Sequence, residues 1–253
     1  MMDRSPASPG AGRSPQFTPG RAWAARAIAL WPRQCELCRA WGRDAICAAC
    51  VGRFADPVPR CPGCAIRSDE ARLCGDCLRR PPVFDAAVAA VDYAFPWDGL
   101  ITRWKFHGQP ELTRGLAARL VEAVRQSPDT DVDLVLPMPL GDRRLRERGY
   151  NQAWELARIA SARLGIASSP DVLRRWRDTP HQVGLGRSER EANLRHALWV
   201  DPALAEPLQG RRIALVDDVM TTGASADAAA RALKQAGAAH VQAWVLARTP
   251  RPG

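Results

Sequence analysis

Residues 213–216 read Ile-Ala-Leu-Val without alternation, which predicts a strand of a parallel sheet covered on both faces. Apolar runs at 133–137 and 241–247 predict two more strands. Residues 84–93 predict a strand or hairpin, and 173–176 and 197–200 two shorter strands. Helical periodicity takes over at 100–106, 112–125, 143–164 and 226–235. Strands alternating with helices imply an α/β domain with a mainly parallel sheet and helices on its faces. A polar, irregular stretch at 177–195 interrupts the pattern, and Pro81-Pro82 mark a break from what precedes it. The first 20 residues are rich in Ser, Pro, Gly and Arg and lack periodicity, so disorder is expected there, which leaves the true start of the chain open. Trp23, Ala27, Leu30 and Trp31 share helical spacing and predict a short helix docking on the next module. The expected organisation is a disordered extension over 1–22, a small module over 23–80 and the α/β domain over 83–249.

The small module has too few apolar residues for a core, but it holds all eight cysteines of the chain. They form four Cys-x-x-Cys pairs, Cys35/Cys38, Cys47/Cys50, Cys61/Cys64 and Cys74/Cys77. Two thiolates at this spacing can meet one tetrahedral ion, and two pairs complete a closed structural site of four cysteines. Two Zn2+ sites supplying the folding energy are therefore expected. Sequential pairing is the simplest, giving two tandem zinc ribbons with short hairpins in the intervening residues. A cross-braced pairing of first with third and second with fourth stays open. Disulfides, redox chemistry and an iron–sulfur cluster are less favoured alternatives, since no secretory signal accompanies the cysteines and redox work needs one pair only.

The run Asp217-Asp-Val-Met-Thr-Thr-Gly-Ala-Ser225 follows the 213–216 strand directly. Open α/β sheets place ligands at the carboxyl ends of their strands. Backbone N–H groups of a loop entering a helix suit a dianionic phosphate, and Thr221, Thr222 and Ser225 add hydroxyl donors. Asp217 and Asp218 would repel that phosphate and instead suit two adjacent ribose hydroxyls, from which they accept hydrogen bonds. An ordinary capped strand-to-helix turn is the bland alternative.

All thirteen positions of 213–225 fit the 5-phosphoribosyl-1-diphosphate (PRPP) motif of type I phosphoribosyltransferases. From about Trp31 onward the chain resembles the ComF family of competence-associated proteins. The resemblance also rests on Pro137-Met-Pro139, on Arg143, Arg144 and Arg148-Gly-Tyr-Asn-Gln152, on Gln182, Leu185, Arg190 and Asn193, and on the cysteine pairs. Leu198 departs from it, standing where the family usually carries an aromatic residue, and so does the long N-terminal extension. The resemblance implies a type I phosphoribosyltransferase fold with a hood near 177–195 and a PRPP site made of Asp217, Asp218, Val219, Met220, Thr221, Thr222, Gly223, Ala224 and Ser225, with Asp217 and Asp218 in the catalytic role. Arg143, Arg144 and Arg148 then become candidate diphosphate ligands, since guanidinium forks match diphosphate oxygens. Lys105, in Lys-Phe-His-Gly, is a further candidate, with a surface lysine as the alternative. Mg2+ would accompany PRPP. The implied role is a cytosolic competence factor acting with single-stranded DNA and other competence proteins such as a helicase. A working phosphoribosyltransferase acting on a base or amine and a PRPP-sensing regulator are the alternatives.

The formal charge of +9 counts the cysteines as neutral; two zinc ions on eight thiolates would bring it to about +5. Nearly all the cations are arginine, so arginine abundance alone says little about nucleic acid. Between residues 141 and 195, however, 12 Arg face 7 acidic residues, an excess around the proposed anion site. Trp176 within Arg174-Arg-Trp-Arg177 could stack a base, although packing explains such a residue more often. His107, His181, His196 and His240 show no ligand spacing and no evident carboxylate partner. No run of about 18 apolar residues is present to span a bilayer, so no membrane insertion is expected.

Overall fold

The computed structural model describes residues 32–175 and 198–251. The helix expected over 23–31, the hood segment with Trp176, His181, Gln182, Leu185, Arg190, Asn193 and His196, and the N-terminal extension lie outside the described residues. Within them, β1 (Arg33–Gln34) and β2 (Trp41–Gly42) pair antiparallel around the first cysteine pair, and α1 (Ala48–Phe54) begins directly after Cys47. The second half repeats this plan. A bridge between Arg60 and Arg67 closes around Cys61 and Cys64, and α2 (Gly75–Arg79) begins directly after Cys74. Each half is thus a turn carrying one pair and a short helix carrying the other. The intervening residues hold only the return strand of the hairpin and the approach to the helix.

Next come β3 (Ala86–Asp92), α3 (Trp97–Phe106), α4 (Thr113–Gln126), β4 (Leu134–Pro137), α5 (Asp142–Arg148), α6 (Gln152–Leu164) and β5 (Ala167–Ser168). They are followed by β6 (Leu173–Arg175), β7 (Leu198–Val200), β8 (Arg212–Met220), α7 (Ala224–Gln235) and β9 (His240–Arg248). Five strands form one all-parallel sheet in the order β3-β9-β8-β4-β5. β6 and β7 make a separate antiparallel pair.

The unbroken apolar run of β8 has a simple cause. Successive side chains of a strand point to opposite faces, and both faces are covered. Ala214 and Val216 pack with Val88, Trp244, Trp104, Leu116 and Leu156. Ile213 and Leu215 pack on the other side with Val245, Ala229, Leu233, Leu173 and Leu198. The two cysteine halves divide in the same way. Cys35, Ala45, Ile46 and Cys50 join the first cluster, while Ala65 joins the second. Polar contacts reinforce this docking: Trp97 Nε1 donates to the Phe54 carbonyl at 2.7 Å and Arg103 pairs with Glu36 at 3.1 Å. On the second half, Arg60 pairs with Asp92 at 2.8 Å and Arg67 bonds the same carboxylate.

Several elements differ from the sequence reading. The helical pattern 143–164 is two helices, because Gly149 takes the left-handed conformation at φ 76° and ends α5. Asn151 then caps α6, its Oδ1 accepting from the N–H groups of Ala153 and Trp154. Residues 84–93 form one strand and no hairpin, and the two-residue β5 gave no sequence signal. β8 also runs on through Met220, beyond the apolar run, since β9 pairs with it as far as Arg248. His240 departs from the sequence reading too, lying 3.7 Å from Asp85 and from Asp129.

Candidate functional site

β4 ends at Pro137 opposite Val216, and the Met138 N–H still reaches the Val216 carbonyl at 2.7 Å. β8 and β9 continue past that point. The sheet therefore has a step at its carboxyl edge, and Asp217 and Asp218 are the first β8 residues beyond it. The step opens toward the loop that leads from β4 to α5. The segment with the PRPP-like residues thus lies where a parallel sheet places its ligands.

The pleat sends the two carboxylates different ways. Asp217 lines a concavity of about 50 Å3 together with Leu215, Val245 and the 219–226 loop. Asp218 meets Lys105 of α3, with Nζ to Oδ1 at 2.8 Å and the side chains 15% and 14% exposed. Lys105 is therefore not the exposed surface lysine of the bland reading. Burial raises the Asp217 carboxyl to about 7, and the neighbouring Asp218 charge pushes in the same direction. The Asp218 N–H, Lys105 and Arg175 oppose the rise. Arg175, at the end of β6, entered the sequence analysis only as a neighbour of Trp176. The strands at 173–176 and 197–200 were expected from the sequence, but the influence of the Arg175 charge on Asp217 was not.

After β8, residues 221–223 turn sharply. Gly223 at φ 86° is the residue before α7, a conformation that side chains with a Cβ rarely adopt. The Ala224 N–H donates to Thr222 Oγ1 at 3.3 Å. Asp227 in the first turn of α7 accepts from the Val83 N–H at 2.7 Å, so its charge is turned toward the linker between modules. The helix start and small residues leave a small polar pocket beside Asp217, with Val219 and Met220 forming its strand side.

The Arg148-Gly-Tyr-Asn-Gln152 motif works mainly as a joint. Tyr150 Oη donates to the Trp104 carbonyl at 2.8 Å, fixing the end of α3 from which Lys105 projects. Asn151 Nδ2 holds the Met138 carbonyl at 3.1 Å, which pins the loop after β4. Arg148 lies over the Phe106 ring at 4.7 Å and donates to Gln152 Oε1 at 3.1 Å. Arg143 and Arg144 stand on the same short helix, Arg143 exposed and 3.5 Å from Glu147. The three arginines share one edge of the sheet with Asp217 and Asp218. Lys105 reaches the acidic pair directly.

The cysteines form two groups, Cys35, Cys38, Cys47 and Cys50, and Cys61, Cys64, Cys74 and Cys77, whose sulfurs all lie within 4.8 Å of one another in each group. This is the sequential pairing. A tetrahedron with Zn–S bonds of about 2.3 Å has edges of about 3.8 Å. The distances Cys35–Cys50 at 3.8 Å, Cys38–Cys47 at 3.6 Å and Cys64–Cys74 at 3.7 Å match it, and they are far longer than a disulfide. Both groups carry the same support, the Cys47 N–H pointing at Cys35 Sγ and the Cys74 N–H at Cys61 Sγ. At Cys35 burial opposes ionisation, but the N–H groups of Cys38, Cys47 and Leu37 outweigh it and bring the thiol down to about 6. Burial and the neighbouring sulfurs push Cys50 up to about 12. At Cys74 burial again opposes ionisation, but the Cys77 N–H and neighbouring sulfurs bring the thiol down to about 7. Cys77 is raised by burial and by Cys64. Four close sulfurs thus compete for protons, and a dication relieves that competition by taking all four as thiolates.

Two outcomes follow for the purified protein. Elemental analysis finds two equivalents of zinc per chain, and Cys38→Ser keeps about one; no metal in either contradicts the assignment. The second concerns pH. Folded Asp217 keeps its proton up to about pH 7, whereas an unfolded carboxyl releases it near pH 4. The folded state therefore binds more protons between these values, and its stability falls as pH rises from about 4 to about 7. Asp217→Asn lacks that slope, so its melting temperature relative to wild type rises across this window; a constant difference contradicts the argument.

No family model matches the chain. It is 34% identical over 226 residues to the DNA utilization protein YhgH of Escherichia coli K12, covering 86% of this chain and 98% of that protein. Identity to competence protein F of Haemophilus influenzae is 34% over 211 residues, covering 81% and 91%. Competence protein ComFC of Bacillus subtilis is 26% identical over 215 residues, covering 81% and 85%. Among solved structures, the chain is similar to the glutamine PRPP amidotransferase of B. subtilis, at 16% identity over 58% of this chain and 30% of that one, with a TM-score of 0.40. The purine phosphoribosyltransferase of Pyrococcus horikoshii is also similar, at 16% identity over 55% and 71%, with a TM-score of 0.28. With a third of its residues identical to the first two relatives over nearly their full length, and with the PRPP-like loop at its sheet edge, the chain belongs to the ComF family.

Proposed function

We propose that this protein binds PRPP with Mg2+ at the β8–α7 loop and acts in the cytosol as a competence-type factor that handles incoming single-stranded DNA together with partner proteins such as a helicase. The observation that carries the binding reading is the Asp217–Asp218 pair beside a helix-start loop, with Lys105 at 2.8 Å from Asp218. The Asp218 carboxylate oxygens, one of them paired with Lys105, accept hydrogen bonds and suit a sugar hydroxyl. Asp217, raised to about 7, sits ready to lose its proton when a cation or a hydroxyl donor arrives. The N–H groups of Thr222, Gly223, Ala224 and Ser225, with the hydroxyls of Thr221, Thr222 and Ser225, take the 5-phosphate. Lys105 and the arginines Arg143, Arg144 and Arg148 attract and hold the diphosphate. Mg2+ bound with PRPP would neutralise charge on the diphosphate.

The DNA role rests on the names of the relatives, one a DNA utilization protein and two competence proteins. A transferase reading is favoured by the intact acidic pair, because loss of diphosphate leaves positive charge on ribose C1 and carboxylates near the ring stabilise it. In that reading Asp217 and Asp218 are the catalytic residues, and Mg2+-dependent diphosphate release in the presence of a base or amine would mark it.

Calorimetry of the zinc-replete protein is expected to show Mg2+-dependent PRPP binding, weakened at least tenfold, or about 1.4 kcal/mol, in Asp218→Asn and in Lys105→Met. Anisotropy of a labelled single-stranded oligonucleotide at fixed ionic strength is expected to show binding that shifts on adding PRPP. PRPP binding unchanged in both variants refutes the site, and an oligonucleotide that does not bind at physiological salt refutes the DNA role.

A further inference from the structure

Arg248, the last residue of β9, is only 7% exposed. A charge withdrawn from water needs hydrogen-bond partners around it. Those recorded for Arg248 are all backbone carbonyls: Nε donates to Cys64 at 2.8 Å, and Nη1 to Met220 at 3.1 Å, Thr249 at 2.9 Å and Thr221. Cys64 belongs to the second cysteine group, and Thr221 opens the phosphate loop. One planar fork therefore spans from a metal knuckle to the ligand loop. Alongside it, Ala65 packs with Phe84 and Met220 in the same apolar cluster. Further out the two parts face each other across a crevice of about 880 Å3, lined by Cys64, Cys77, Thr221 and Thr222 among others.

We propose that Arg248 is a positioning residue that ties the second cysteine site to the phosphate loop, so that metal occupancy of that site sets how well the loop holds a phosphate. The consequence for PRPP rests on the function proposed above, while the mechanical link stands without it. A metal fixes residues 61–64 and with them the Cys64 carbonyl. Arginine suits this task because its donors lie in a rigid plane, so fixing one edge orients the other. When the knuckle loosens, Nε loses its acceptor, and a buried charged donor without a partner is costly. The guanidinium then turns toward water or another acceptor and releases the Met220 and Thr221 carbonyls, and the N–H groups after Thr221 lose their fixed direction. The first cysteine site has a different neighbourhood. Cys35 and Cys50 pack with Leu116 and Leu120 on the opposite face of the sheet. The two sites share one internal design, but only the second holds a carbonyl of this fork among the described hydrogen bonds.

The test uses the full zinc-loaded chain and two readouts, amide hydrogen exchange of residues 221–225 without ligand and PRPP affinity by calorimetry. Arg248→Met is expected to keep both zinc ions, to speed loop exchange at least tenfold and to weaken PRPP at least tenfold. Cys74→Ser is expected to lose one zinc and change the loop to the same degree. Adding Cys74→Ser to Arg248→Met should then add little, since both break one link, whereas Cys47→Ser should combine with Arg248→Met additively. Where Arg248→Met does not fold, Arg248→Lys serves, since it keeps the charge and lacks the fork, and faster loop exchange is again expected. Loop exchange within twofold of wild type in the folded Arg248 variant, or additive effects of Cys74→Ser and Arg248→Met, overturns the link. If the wild-type protein does not bind PRPP, the functional reading fails, and the exchange results alone still decide the link.

Discussion

Two adjacent carboxylates at the end of a buried strand repel each other and lose hydration, and the functional half of the molecule is organised around making that arrangement tolerable. The strand pleat directs Asp217 to one side and Asp218 to the other. Lys105 meets Asp218 directly at 2.8 Å, and Arg175 lowers the cost of charge on Asp217 from across the sheet edge. Even so, burial and the Asp218 charge raise the Asp217 carboxyl to about 7. Keeping such a group costs the fold stability at neutral pH, and the proposed ligand role gives a reason for retaining it.

The supports of Lys105 and of the loop come from far along the chain. Tyr150 fixes the end of α3, Asn151 fixes the loop after β4, and Gly149 makes the turn that places both. On the opposite side the loop after β8 lies near Phe84 and is bonded by Arg248, which reaches to Cys64. The cysteine module accordingly packs into the α/β domain. Its first half is part of the apolar layer with α4, and its second half is bonded to the strand end from which the loop starts. Through Arg248 the second cysteine group, the end of β9 and the loop after β8 are joined by hydrogen bonds.

Much of this was legible in the sequence. The run Ile213 to Val216 marked a strand covered on both faces, the following nine residues marked the turn from that strand into a helix at the carboxyl edge of the sheet, and four Cys-x-x-Cys pairs marked two groups of four close sulfurs. The strand continuing through Asp217 to Met220 was not legible, because polar residues hid it and only pairing with β9 extends it. Nor was the helix break at Gly149, since a single glycine does not itself signal a left-handed turn. The ion pair of Lys105 and the reach of Arg248 to Cys64 are contacts across 113 and 184 residues of chain, and the Arg175 charge acts on Asp217 across 42; local pattern holds no information about such separations. His240 between Asp85 and Asp129 was missed for the same reason.

The most direct test of the account is a crystal structure of the zinc-loaded protein with PRPP and Mg2+. The account requires the 5-phosphate on the N–H groups of residues 222–225, the ribose hydroxyls on Asp217 and Asp218, and the diphosphate toward Lys105 and α5. PRPP lodged in another crevice, or bound with its 5-phosphate away from the β8–α7 loop, would contradict it.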